Sequence, residues 1–156
     1  MTMNTLDETD KELLRLLQKN ARYTTKELAE KLNLSATPVY ERQRRLEREG
    51  YIQKYVAILN KEKLGNKLLV LCHVKLKQHE RGMGEKFVHA VHELPEVMEC
   101  YNISGEYDFM LKVVVEDMPK YQDFIMNKLT MIENIGSTQS VFVMGEIKTS
   151  TEYVIR

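Results

Sequence analysis

Two helix-start signals standing close together limit what this chain can fold into more than any other feature. The first is Tyr23-Thr24-Thr25-Lys26-Glu27-Leu28. Thr24 as N-cap and Glu27 three residues on form a capping box, each side chain able to satisfy the other's free backbone N–H, with Tyr23 and Leu28 as a hydrophobic staple. The second is Ser35, an N-cap residue flanked by Leu34 and Val39 as a second staple. Pro38 falls in the first turn after Ser35, where its missing N–H would have gone unpaired anyway. Only a short helix fits between the two starts, buried through Leu28, Ala29 and Leu32 and ending near Leu32-Asn33. The helix after Ser35 is expected to run to Glu49, with Gly50 as its stop.

A helix also precedes them. Asp7 to Asn20 begins with acidic residues, which suit the positive end of a helix dipole, and carries Leu13, Leu14, Leu16 and Leu17 as an apolar stripe. Two helices joined by Asn33-Leu34-Ser35 make a tight helix-turn-helix, with the third helix as candidate reader of a DNA major groove. At about 100° per residue, Ala36, Val39, Gln43 and Leu46 face inward. Thr37, Glu41, Arg44, Arg45 and Arg48 fall on the far side, with Arg42 at the flank. Arginine pairs bidentately with guanine, and small polar groups take phosphate or base-edge bonds. With Ser35 and Pro38 at the helix start and Lys54 beyond its end, these residues form the candidate DNA-contacting set. Glu41, Glu47 and Glu49 support the blander alternative of a solvated helix face. The net charge of zero is no obstacle, because DNA binding needs a local basic patch rather than a basic whole.

Tyr51 to Leu59 is β-prone and follows the reader helix as a short wing or exit strand would. The expected organisation is a helix-turn-helix domain over 6–60, a polar hinge over 61–67 and a second domain over 68–156. In that second domain Leu68 to Lys77 alternates as a strand, Gly82 to Leu94 is helical and closed by Pro95, and Val97 to Ile103 and Tyr107 to Glu116 are strands. Asp117 caps a second helix, which Gly136 is expected to end. Ser140 to Ile147 reads as a fourth strand and Thr151 to Ile155 as a possible fifth. The order β-α-β-β-α-β predicts an α+β, ferredoxin-like domain with both helices on one sheet face. Leu71, Met98, Met110 and Val114 are then assigned to the open face, where a second copy is the economical cover.

No apolar run approaches the roughly 20 residues of a membrane span, and Met1 to Lys11 has no leader-like apolar stretch, so a cytoplasmic protein is expected. Cys72 and Cys100 lack metal-site or redox spacing and are expected to be small buried hydrophobes. No metal or other cofactor is expected, and no catalytic motif is present, which argues against an enzyme.

Three stretches, LDETDKELLRLLQKNAR, KELAEKLNLSATPVYERQRRLEREGYIQKY and SGEYDFMLKVVVEDM, carry a resemblance to the leucine-responsive regulatory protein/AsnC family, the feast/famine regulators. It extends from Leu6 to about Ile155. It implies a DNA-binding regulator of transcription that forms homodimers assembling into octamers or similar rings and that answers to a free amino acid bound between dimers. By the same resemblance the effector residues are Ser104, Gly105, Tyr107 and Asp108, and more loosely Thr138 and Ser140. A glycine allows close backbone approach and a carboxylate suits an α-ammonium. The sequence leaves open which amino acid is bound, and the alternative is a DNA-binding assembly protein with no small-molecule effector.

Overall fold

The computed structural model describes residues 6–78 and 82–156. Met1–Thr5, part of the stretch read above for a leader, lie outside the described residues. The chain divides into two compact units, one running to Ile58 and including Lys148–Arg156, the other Leu59–Ile147.

The first unit contains α1 (Glu8–Lys19), α2 (Thr25–Leu32) and α3 (Ala36–Arg48). Capping defines their starts. Asp7 and Asp10 form a reciprocal capping box on α1, and Thr24 and Glu27 form the expected one on α2. The turn between α2 and α3 rests on Asn33, which adopts the left-handed conformation at φ 53° and lets the Leu34 N–H reach back to the Ala29 carbonyl at 3.0 Å. Leu13, Leu17, Leu28, Ala29, Val39 and Leu46 form the buried core, with Tyr23 packed against it. The second staple is only half present: Val39 is fully buried while Leu34 stays 40% exposed. Residues 51–58 form no strand, so the wing expected there is absent from the single chain. A strand needs a ladder partner for its N–H and C=O groups, and no described residue provides one. Tyr55 instead ties this segment to α3, accepting from Gln43 Nε2 at 2.9 Å and donating to Glu47 at 3.0 Å. Residues 151–155 form no strand either. They run along α1, where Gln18 exchanges two hydrogen bonds with Tyr153 and Arg15 donates to the Ile155 carbonyl.

The second unit is β1 (Leu68–Leu76), α4 (Met83–His92), β2 (Val97–Asn102), β3 (Phe109–Val115), α5 (Met118–Asn127) and β4 (Ile135–Phe142), in sheet order β2-β3-β1-β4. All three pairings are antiparallel, as the ferredoxin-like plan requires. Residues 61–67 belong to this unit, where Asn66 N–H bonds the Lys61 carbonyl and Lys61 pairs with Glu146. Val70, Cys72, Val74, Leu111 and Val113 share the helix-covered face with Phe87 and Phe124.

Three expectations need correction here. β4 starts at Ile135 rather than Ser140, because its polar first half pairs with β1, Ser137 opposite Lys75 and Thr138 opposite Val74. Gly136 therefore lies inside a strand and does not end α5. A Cβ there would lie 3.2 Å from the Lys75 carbonyl oxygen, so the glycine permits close approach of the two backbones. The register shift between Val97 and Glu99 brings Met98 beside α4, in a recess with Val88 and Val91, instead of onto the open sheet face. Leu71, Met110 and Val114 do lie on that open face: the cross-strand pairs Leu71 with Lys112 and His73 with Met110 alternate with the buried pairs Val70 with Val113 and Cys72 with Leu111.

Candidate nucleic-acid interface and ligand turn

Val39 and Leu46 are fully buried, which fixes the inward side of α3. Opposite them Thr37, Glu41, Arg44 and Arg48 form one exposed row at helical spacing. The row spans roughly 16 Å along the axis, enough to lie along several base pairs. Arg44 is 64% exposed and pairs with Glu47 at 2.9 Å. Ser35 stands at the N-cap position but makes no capping hydrogen bond, so its hydroxyl is not spent on the helix start. Pro38 is half-buried in the first turn, and Lys54 is exposed on the segment beyond α3.

Arg45 departs from the helical-wheel expectation. Its Nη2 lies 2.6 Å from each carboxylate oxygen of Asp10, and its side chain is only 22% exposed. Arg42 joins it, with Nη1 at 2.8 Å from Asp10 and 2.5 Å from Asp7. A wheel gives the direction of a side chain but not the carboxylate that α1 places within its reach. Burial by itself pushes the Asp10 carboxyl up. The hydrogen bonds from Arg45, Arg42 and Asp7 more than offset this, and the group sits below its usual range. The same bonds raise both guanidinium groups.

Two residues that shape this surface, one on it and one beneath it, were missed from sequence. Tyr40, 55% exposed, stands next to Glu41 in the outward row, although an aromatic on that helix reads most easily as core. Asp10 looked like one of several first-turn acids, and only its i, i+3 relation to Asp7 hinted at more.

The turn between β2 and β3 contains Ser104, Gly105, Tyr107 and Asp108. Gly105 has φ 117°, and a Cβ at this position would meet nothing within 4 Å, so the backbone conformation, not space, calls for glycine. Tyr107 packs on His73 with ring centroids 5.5 Å apart. Asp108 is bound into the sheet: its N–H donates to the Val74 carbonyl at 2.9 Å and its Oδ2 accepts from the Leu76 N–H at 2.7 Å. Thr138 lies opposite Val74 on the other side of β1, so the turn and the start of β4 flank the same stretch of strand. Ser140 does not join them. It lies opposite Cys72, and its hydroxyl is 2.7 Å from that of buried Tyr121, whose phenol burial pushes up.

Cys72 is buried as expected, but Cys100 is exposed on edge strand β2. Burial raises both thiols, which keeps them protonated and poorly nucleophilic. Among the described residues no group of three His, Cys, Asp or Glu side chains is placed to hold a metal ion, and no helix is long and apolar enough to cross a membrane.

The three-helix unit and the ferredoxin-like unit each match a known domain family. Residues 6–53 match the winged helix-turn-helix DNA-binding family and residues 69–153 the Lrp/AsnC ligand-binding domain. The chain belongs to the Lrp/AsnC family, whose members are DNA-binding transcription regulators and not enzymes. The leucine-responsive regulatory proteins of Klebsiella pneumoniae and Escherichia coli K12 are each 39% identical to it over 151 residues, covering 97% of this chain and 92% of theirs. Among solved structures, a transcriptional regulator of Neisseria meningitidis in complex with L-Met superposes with a TM-score of 0.92 at 33% identity, covering 96% of this chain and 97% of that one. An AsnC family regulator of Agrobacterium tumefaciens gives 0.91 at 35% identity, with the same coverage.

Proposed function

We propose that this chain is a cytoplasmic, sequence-specific regulator that reads DNA through α3 and is modulated by a free amino acid at the turn carrying Ser104, Gly105, Tyr107 and Asp108, with Thr138 nearby. One observation carries the ligand reading: the turn is hydrogen-bonded to β1 at Val74 and Leu76, so a molecule seated on it acts directly on the central strand of the sheet. The L-Met complex of the Neisseria relative supports the same chemistry and makes methionine the first probe. The open sheet face, with Leu71, Met110 and Val114, and the exposed Val56, Ile58 and Leu59 support assembly as a homodimer that builds octamers or a similar ring. Such a dimer presents two reader helices to a pseudo-palindromic site.

A second reading, a DNA-binding assembly protein without an effector, is favoured by one specific feature. Asp108 and Ser140 already spend hydrogen bonds within the chain, on Leu76 and Tyr121. Calorimetry with the twenty amino acids, followed by duplex binding with each hit, separates the two. Submillimolar binding of at least one, with a change in DNA affinity of about 5–150-fold, is expected of the sensor. Binding of none establishes the assembly reading.

A further inference from the structure

Arg42 and Arg45 both turn toward the Asp10 carboxylate of α1. Asp10 is 1% exposed, and a carboxylate so enclosed requires compensating partners. Its orientation is fixed from below by the capping box, in which its N–H bonds Asp7 at 2.8 Å and its Oδ2 accepts the Asp7 N–H at 3.2 Å. From there it holds Arg42 and Arg45, one turn apart on α3. One rigid acceptor gripping a helix at two points fixes the rotation of that helix about its own axis. A slip of one residue turns a helix by about 100° and would exchange its outward row for another. The charges of Asp7, Asp10, Arg42 and Arg45 also sum to zero, so these two guanidiniums present little field to a phosphate backbone.

We propose that Asp10 is a positioning residue of the DNA interface: it turns Arg42 and Arg45 inward and thereby leaves Thr37, Tyr40, Glu41, Arg44 and Arg48 as the row that meets DNA. The inference rests on the DNA-binding reading above and reassigns two residues that the sequence places on the DNA.

The full chain is titrated by fluorescence anisotropy over a salt series, with a duplex selected for tight binding and with an unrelated duplex. Asp10→Asn releases the Arg45 guanidinium, whereas Arg42 keeps its ion pair with Asp7. Binding to the unrelated duplex should tighten, its slope of log K against log salt should steepen by about one unit, and the preference for the selected duplex should fall roughly 5–150-fold, as for a lost base contact. A residue that merely held the fold together would weaken both duplexes alike with no steeper slope, and that result overturns the proposal. Arg45→Gln supplies a second readout if Asp10→Asn fails to fold. Because Arg45 meets no phosphate, the slope on the selected duplex should stay at its wild-type value even if affinity falls. A slope flattened by about one unit puts Arg45 on the DNA and refutes the assignment. If the wild-type chain binds neither duplex, the DNA reading itself is wrong, an outcome distinct from failure of the Asp10 role alone.

Discussion

Leu46→Ala tests whether the helical unit owns a core of its own. Leu46 is fully buried in a cluster that also holds Leu13, Leu17, Leu28, Ala29 and Val39, and none of these residues belongs to the core under the sheet. Truncating a buried leucine to alanine costs about 2–5 kcal/mol, the higher values where the site cannot collapse. A unit of this size has roughly 3–9 kcal/mol in total at the usual stability per residue. A mid-range loss of about 3 kcal/mol raises the population of opened helices on the order of a hundredfold. Native-state hydrogen exchange reads this directly: amides of α1–α3 should exchange faster by that factor, while those of β1 and β3 keep their protection. Leu34→Ala is the control, since at 40% exposure its loss should stay near 0.5 kcal/mol. Unchanged helical protection in Leu46→Ala, or equal loss in helices and strands, would refute the reasoning.

Asp108→Asn keeps an acceptor for the Leu76 N–H and should melt within about 1 kcal/mol of wild type, whereas Asp108→Ala orphans that N–H at about 1–3 kcal/mol; of the two, only Asn is a clean calorimetric test of ammonium binding. Asp10 is held below its ordinary value of 3.8, so the unfolded chain takes up the proton first as pH falls. Its contribution is complete above about pH 4 and is lost as pH falls through the folded value, so acid unfolding of the helices, followed by circular dichroism, should lose this component in Asp10→Asn. Gly136→Ala forces a methyl to 3.2 Å from the Lys75 carbonyl oxygen and should lower the melting temperature through a loss of about 1–3 kcal/mol. Ending the chain after Ile147 removes the hydrogen bonds from Arg15 and Gln18 to the tail; with these bonds exposed or only part-buried, this should cost α1 under about 2 kcal/mol and leave β1 exchange unchanged.

What could be read from sequence was what local chemistry decides. Thr24 with Glu27 and Asp117 at the start of α5 act within one turn, and both caps form, the first with its expected partner. Strand alternation gave β1 and β3 for the same reason, since it needs no knowledge of the neighbour. The misses share a non-local cause. Arg45 meets a carboxylate 35 residues away, which a wheel cannot register. The polar start of β4 looks like a loop until β1 is beside it, and a bulge in β2 reverses Met98 without leaving a mark in the residue pattern. The candidate ligand turn came from family likeness rather than from spacing. Its geometry distinguishes Asp108 and Thr138, which flank the same part of β1, from Ser140, whose hydroxyl is engaged by Tyr121.

The central claim is that one chain couples specific DNA binding to amino-acid binding. Its most direct test is selection of bound fragments from genomic DNA by the full chain, followed by salt-dependent binding of the best fragment with and without each amino acid that calorimetry finds. The account predicts a selected site with two similar half-sites one helical turn or a multiple apart, a steep fall of affinity with salt, and a shift of about 5–150-fold on adding the ligand. Enrichment of no fragment, or a selected fragment bound identically in the presence of a ligand that calorimetry shows to be bound, would contradict it.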